Sequence, residues 1–259
     1  MLRQKGQHFV ITGASSGIGR AVALRLAADG ANLSLVARRA ELLEETAADC
    51  IEAGAELAHV AAADVRDRAA VDAAFAEIAE SLGPLRGLVA CSGIGGANEP
   101  GEGDRWDDVI STNLSGAYHS LRAAQRHLAD GPEVRHLVVL SSILGRFGVA
   151  GHTAYCASKA GLLGLVRALA LELAPQDVQV NAICPGWVET DMAWEGIDRI
   201  ATAVGSTREV GLKIAMKAVP LGRMSTPDEI AGVVAWLVSA DARGVTGQGI
   251  DINNGAWMG

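Results

Sequence analysis

Tyr155 and Lys159 stand four residues apart at the start of a helical run, Thr-Ala-Tyr-Cys-Ala-Ser-Lys-Ala-Gly. On a helix that spacing brings both side chains to one face, a turn apart. A free phenol has a pKa of about 10, too high for a base near neutral pH. A nearby ammonium and the positive end of a helix both favour the phenolate, so the pair predicts a tyrosine tuned downward for proton transfer. Ser142 lies just past an apolar strand, where its hydroxyl could hydrogen-bond a substrate oxygen. Taken alone, a tyrosine and lysine at this spacing are also common on exposed helix faces, and only the surrounding residues give the pair meaning.

A second group of residues sits near the start. Residues 12–19 read Thr-Gly-Ala-Ser-Ser-Gly-Ile-Gly, directly after one apolar run and opening a helical one. Gly13 would allow a tight turn, Gly17 a close backbone approach to a ligand, and Gly19 close helix–strand packing. The helix N-terminus then offers N–H donors and a positive dipole end to a pyrophosphate. The alternative is an ordinary glycine-rich connection between a strand and a helix. Further on, Ala37 closes the second apolar run where a site for NAD would carry a carboxylate, and Arg38 and Arg39 follow. A guanidinium suits a 2′-phosphate, so NADP(H) is favoured over NAD(H); two solvated arginines at a loop are the alternative.

The elements that must position these groups alternate along the chain. Apolar runs at 8–12, 32–37, 56–61, 85–90, 134–140, 178–183 and 249–252 read as strands. Helical patterns fall between them at 17–29, 40–53, 68–81, 106–128, 153–173 and 227–239. Strands alternating with helices predict a parallel sheet with helices on both faces, in one domain over residues 1–259. Two stretches break the rhythm. Residues 93–104, rich in Gly, Glu and Pro, predict a loop over a site, and 189–219 is long enough to be a substrate lid.

Composition narrows the classes. Apolar residues make up 49% of the 259-residue chain and charged residues 20%, the balance of a soluble protein with a large core. A net charge of −8 argues against nucleic acid or an anionic membrane surface as partner. The long apolar segment 161–173 is interrupted by Arg167 and Glu172, so no membrane span is expected. Cys50, Cys91, Cys156 and Cys184 are widely spaced, without metal or dithiol spacing. They predict reduced thiols and a cytoplasmic protein, and no metal site is expected.

The ordered set of the glycine turn, Asn113 within an earlier helix, Ser142 thirteen residues before the tyrosine, and Tyr-x-x-x-Lys resembles the short-chain dehydrogenase/reductase family in its short single-domain form. The resemblance extends over essentially the whole chain, to Asp64-Val65, Pro185-Gly186 and Thr190. It implies a three-layer doubly wound α/β fold of Rossmann type, with about seven parallel strands in the order 3-2-1-4-5-6-7. It implies hydride transfer between a nicotinamide and a ketone or alcohol. Tyr155 would be the acid/base, Ser142 would polarise the reacting oxygen, and Lys159 would hold the nicotinamide ribose and tune the tyrosine. Asn113 would anchor a water that relays protons. Asp64 and Val65 would meet the adenine, and Thr190 the carboxamide. The cofactor set would also include Ser15, Ser16 and Ile18 of the turn, with Ser92, Gly93, Pro185, Gly186 and Val188. Asn113 and Thr190 could equally cap or kink helices, and Asp64 could close a turn. The chain departs from the family pattern at 90–93, where Ala-Cys-Ser-Gly replaces Asn-Asn-Ala-Gly.

For the substrate, Ile143, Leu144, Phe147, His152, Trp187, Met192 and Trp194 are the residues expected to face it. The set is mostly apolar and suggests a hydrophobic or ring-bearing ketone, a small molecule. A 3-oxoacyl carrier-protein or CoA thioester is the alternative, for which Arg122, Arg126 and Arg167 could form a docking patch. A non-catalytic nicotinamide-binding protein is a further alternative. The family also implies a homo-oligomer, tetramer or dimer, joined through the helices at 106–128 and 153–173. The stripe Leu162, Leu165, Val166 and Leu169 suits such an interface or an ordinary core.

Overall fold

The computed structural model describes residues 3–259. Seven parallel strands form one sheet: β1 His8–Thr12, β2 Asn32–Ala37, β3 Ala58–Ala62, β4 Gly87–Ala90, β5 Arg135–Leu140, β6 Val178–Pro185 and β7 Gly249–Ile252. Their order is β3-β2-β1-β4-β5-β6-β7, as expected. The switch between β1 and β4 opens a crevice at the carboxyl ends of the strands, where ligands bind in such sheets. β1, β2, β5 and β6 are almost wholly buried, because helices cover both faces.

On one face lie α1 Gly17–Ala28, α2 Ala40–Ala53 and α9 Pro227–Leu237. Leu26, Leu33, Leu35, Leu43 and Val234 join across that layer. On the other lie α3 Arg68–Leu82, α5 Gly116–Gln125 and α6 Thr153–Leu173, packed through Phe75, Ile78, Leu121 and Val166. Asp67 caps α3 by accepting from the Ala69 and Ala70 amides at 2.9 and 3.1 Å.

Three expectations change or narrow. The stretch 106–128 is not one helix: α4 Trp106–Ile110 and α5 are joined by a π-helical turn, Ser111–Ser115. The stretch 189–219 carries two helices, α7 Asp191–Ala203 and α8 Arg208–Met216. Leu162, Val166 and Leu169 are buried in the chain's own core and Leu165 packs against it, so the stripe is spent within the fold. By length and composition α6 with its 3₁₀ extension, Thr153–Gln176, would span a membrane, but its apolar face packs on the sheet.

Candidate active site

The glycine turn folds as its spacing requires. Gly13 has φ +70°, a left-handed conformation that suits glycine. A Cβ on Gly19 would stand 2.2 Å from the Gly13 carbonyl oxygen, so only glycine lets α1 start this close to β1. Ser16 stands at the N-cap of α1 with no side-chain cap, leaving the first-turn amides open to a ligand. Arg39 reaches back and donates to the Ser15 and Ser16 hydroxyls at 3.0 and 3.2 Å. Arg38 is exposed beside it.

These groups line a cleft of about 280 Å³ at the strand ends. Gly13, Ser15, Ser16, Gly17, Ile18 and Gly19 form one wall, with Arg38 and Arg39 at one end. Asp64, Val65, Ser92, Gly93, Thr190 and Met192 complete it, together with Ile94, Cys91 and Thr112, which the sequence reading did not select. Pro185, Gly186 and Val188 stand behind, at the end of β6 and start of the following segment. The fit to a dinucleotide rests on the uncapped α1 terminus and the glycine cradle, into which added side chains would intrude.

Ser142, Tyr155 and Lys159 come together between β5 and α6. Ser142 follows β5, accepts from the Leu144 amide at 3.1 Å, and stands close enough to the Tyr155 hydroxyl to lower its pKa. Lys159 Nζ lies 5.5 Å from the centre of the Tyr155 ring and donates to the Leu140 carbonyl at 2.6 Å. The tyrosine departs from the sequence expectation. Desolvation raises the Tyr155 pKa above its ordinary value and Ser142 only partly opposes this, so the phenol is held as the acid. Lys159 is itself desolvated, and its pKa falls to about 8.

Asn113 occupies the π turn, and its amide clamps the loop after β4. Its Oδ1 accepts from the Ile94 amide at 2.8 Å, and its Nδ2 donates to the Ile94 carbonyl at 3.0 Å and to Ser158 Oγ at 3.2 Å. A Cβ on Gly93 would lie 3.3 Å from Asn113 Oδ1 and 3.6 Å from Lys159 Nζ, so Asn113, Gly93 and Lys159 converge. Asp64 does close a turn. It accepts from the Arg66 amide at 3.0 Å and takes the Arg66 guanidinium on both oxygens, while still bordering the cleft. Thr190 caps α7, accepting from the Ala193 amide at 3.4 Å, and its methyl would stand 3.2 Å from a Cβ on Gly17.

The expected substrate residues separate. Met192 reaches the cleft, and its Sδ would be 2.8 Å from a Cβ on Gly95. Trp187 lies against Gly196 of α7. Trp194 stacks instead on the Arg208 guanidinium at 5.6 Å, which ties α7 to α8. Ile143 is buried, Leu144 is half-buried and Phe147 is exposed. His152 turns into its own loop, with Nδ1 3.2 Å from the Ala150 carbonyl. The docking arginines are largely occupied: Arg122 pairs with Glu172 at 2.9 Å and Arg126 with Asp72.

Two residues escaped the sequence reading. Asn98 caps α6 from the loop after β4, its Oδ1 accepting from the Ala154 amide and the Thr153 hydroxyl at 3.0 Å each. Ser141 donates to the Lys159 carbonyl at 2.8 Å and pins that turn of α6 to the end of β5. The adjacent serine pair offered some signal for Ser141. For Asn98 there was none, because its partners lie far along the chain.

A seven-stranded parallel sheet with a glycine-walled cleft at its strand ends, and a Ser–Tyr–Lys cluster that meets it at Gly93, is the architecture of a nicotinamide-dependent oxidoreductase. Residues 13–256 match the family model described as enoyl-(acyl carrier protein) reductase. The chain is 37% identical over 251 residues, 95% of each chain, to a protein of Streptomyces virginiae named as a ketoacyl reductase of the monensin polyketide synthase. It is 33% identical to a 3-oxoacyl-acyl-carrier-protein reductase of Staphylococcus aureus, over 96% of this chain and 97% of that one. A solved variant of the actinorhodin polyketide ketoreductase with NADPH superposes with a TM-score of 0.89 at 33% identity, over 99% and 98% of the two chains. The chain belongs to the short-chain dehydrogenase/reductase family. It is an enzyme that reduces ketones with a nicotinamide cofactor.

Proposed function

We propose that the protein is an NADPH-dependent reductase of a hydrophobic or ring-bearing ketone, with Tyr155 as its proton donor. The observation that carries this reading is the grouping of Ser142, Tyr155 and the Lys159 ammonium, which meets the nucleotide-sized cleft at Gly93. A phenol kept protonated by burial is the form that reduction consumes. Ser142 orients the substrate oxygen, Tyr155 gives it a proton, and the Lys159 charge steadies the phenolate left behind. The bound nicotinamide supplies the hydride. Asn113 holds the Gly93–Ile94 backbone against the ribose side of the site, and Asp64 and Val65 border the adenine end. Arg38, exposed, and Arg39, fixed by Ser15 and Ser16, favour a 2′-phosphate and hence NADP(H) over NAD(H).

Residues 189–219 act as the substrate lid, with Met192 and Trp187 on its inner side. The whole chain works as one catalytic domain, in a homo-oligomer formed through α5 and α6, whose outer faces expose Tyr118 and Leu171. Light scattering tests that association. All four cysteines are free, which accords with a cytoplasmic location.

The direct test is loss of the NADPH absorbance band on adding a panel of cyclic, aryl and alkyl ketones. Turnover that vanishes in Tyr155→Phe supports the reading, and tight NADPH binding without turnover of any ketone overturns it. A 3-oxoacyl thioester is the second reading, favoured by the names of the relatives. Acetoacetyl-coenzyme A turning over faster than every free ketone would select it.

A further inference from the structure

The loop at residues 93–104 crosses the substrate side of the cleft, anchored at both ends. Ile94 is clamped by Asn113, and Asn98 is fixed to the start of α6. Between these anchors lie Gly95 and Gly96, and each presents its bare Cα to the lid. The position of a Gly95 Cβ is met by Met192 Sδ. The position of a Gly96 Cβ is met by two guanidiniums, Arg105 Nη1 at 2.7 Å and Arg199 Nη1 at 3.8 Å. Two cations from different elements, the loop before α4 and the third turn of α7, therefore come together at one point.

Neither is neutralised. Neither arginine is in an ion pair within the described residues, although most exposed arginines of this acidic chain are paired, as Arg20, Arg66, Arg126, Arg208 and Arg223 show. Arg105 donates to the Gly95 carbonyl at 3.0 Å, which uses one of its five N–H groups. The neighbouring Asp104 carboxylate is engaged by Asn98 Nδ2 and the Trp106 amide. The other end of the Arg199 guanidinium lies 3.9 Å from where a Gly196 Cβ would be, a position the Trp187 ring meets at 3.1 Å. Met192, Gly196 and Arg199 share one face of α7, as their spacing of four and three residues requires. That face thus runs from an apolar wall, Met192 and Trp187, to a pair of charges.

We infer that this enzyme's substrate is a ketone with an apolar body and a carboxylate, the carboxylate being held between Arg105 and Arg199. A carboxylate has about four lone-pair sites, which two guanidinium forks can fill. The like charges at Gly96 repel each other until such an anion enters. This inference rests on the ketone-reductase reading and adds the second group that the substrate must carry.

The test uses the enzyme loaded with NADP⁺, so that binding is read without turnover. Calorimetry compares 4-oxo-4-phenylbutanoate with its methyl ester, which has the same ring and ketone but no charge. The acid is expected to bind at least tenfold more tightly than the ester. In Arg199→Gln that ratio is expected to fall towards one, and in Arg199→Glu below one. Arg199 is exposed and makes no hydrogen bond with a described residue, so these variants leave the fold intact. Arg105→Gln should act in the same direction, and Arg199→Lys should restore part of the preference. An acid-to-ester ratio near one in the unaltered enzyme, or a preference that survives in the Arg105→Gln/Arg199→Gln double variant, overturns the inference. Failure of the underlying reading looks different: NADPH is then not consumed with the acid, the ester or any other ketone, whatever the binding ratio.

Discussion

Lys159 gives its ammonium to the Leu140 carbonyl at 2.6 Å, while that same nitrogen sits 5.5 Å from the centre of the Tyr155 ring. The end of β5 therefore fixes the charge in place, one helical turn from the phenol. In the proposed reaction, reduction uses the protonated phenol and then needs the lysine charge to stabilise the phenolate. The working forms are the protonated ones, Tyr155 with its pKa raised and Lys159 with its pKa near 8. The kcat/KM for ketone reduction is expected to be level below pH 8 and to fall above it as Lys159 loses its proton. Initial rates from pH 6 to 10 read this directly. Lys159→Met should abolish the inflection near 8, and Tyr155→Phe should lower kcat by about 10²–10⁴-fold.

On the proposed reading, cofactor choice turns on Arg38. A hydrogen bond to a charged group contributes about 1.5–3 kcal/mol, or roughly 10–100-fold in affinity. Arg38→Asp should lower kcat/KM for NADPH by about that factor and raise it for NADH, as paired kinetics with the two cofactors would show. Equal or better use of NADH by the unaltered enzyme would remove the role assigned to Arg38.

Asn98 should matter to stability and rate together. Replacing such a helix-capping side chain by alanine costs about 1 kcal/mol. For a chain of this size Asn98→Ala should lower Tm by about 2–4 °C, measurable by calorimetry. Its acceptor bonds the amide of Ala154, one residue before Tyr155, so kcat should fall as well. A drop in Tm with kcat untouched would make Asn98 a cap and nothing more.

Acid sensitivity traces to His136, buried on β5. Burial, helped by the Arg86 charge, lowers its pKa to about 4 from an unfolded value near 6.5. Between those values the unfolded chain binds the extra proton and the folded one does not. Stability is therefore expected to hold above pH 6.5 and to decline as pH falls towards 4, by up to about 3 kcal/mol. His8, also lowered mainly by burial, acts in the same direction. Glu229, held at about 2 by Arg223, loses its contribution only further down, as pH falls from about 4.5. Urea denaturation at pH 7, 5.5 and 4.5 should give a shallower decline for His136→Asn than for the unaltered chain.

What could be read from the sequence follows the range of the forces involved. β1, β2 and β7 match their expected limits, because an apolar run between turn signals is a local pattern. The glycine turn was legible for the same reason: Gly13 and Gly19 constrain each other within one connection. The break in the 106–128 helix was not, since it is set by the pairing of Asn113 with Ile94 across the site. Nor was the sign of the Tyr155 shift. Spacing reveals the lysine, but desolvation depends on how the folded chain packs around the phenol, which no spacing shows. Trp194 looked like a substrate contact because aromatic residues line pockets, yet Arg208 of α8 claims it.

The π turn at Ser111–Ser115 carries a consequence for how this chain tolerates change in length. It holds one residue more per turn than the helices on either side. Deleting one residue there would let an ordinary helix run through with its two flanks nearly in phase, but would withdraw the bulge that carries Asn113 to Ile94. The loop after β4 would lose its clamp while the helix stayed whole, so a change of length at residues 111–115 reaches the cleft without unfolding the element that bears it.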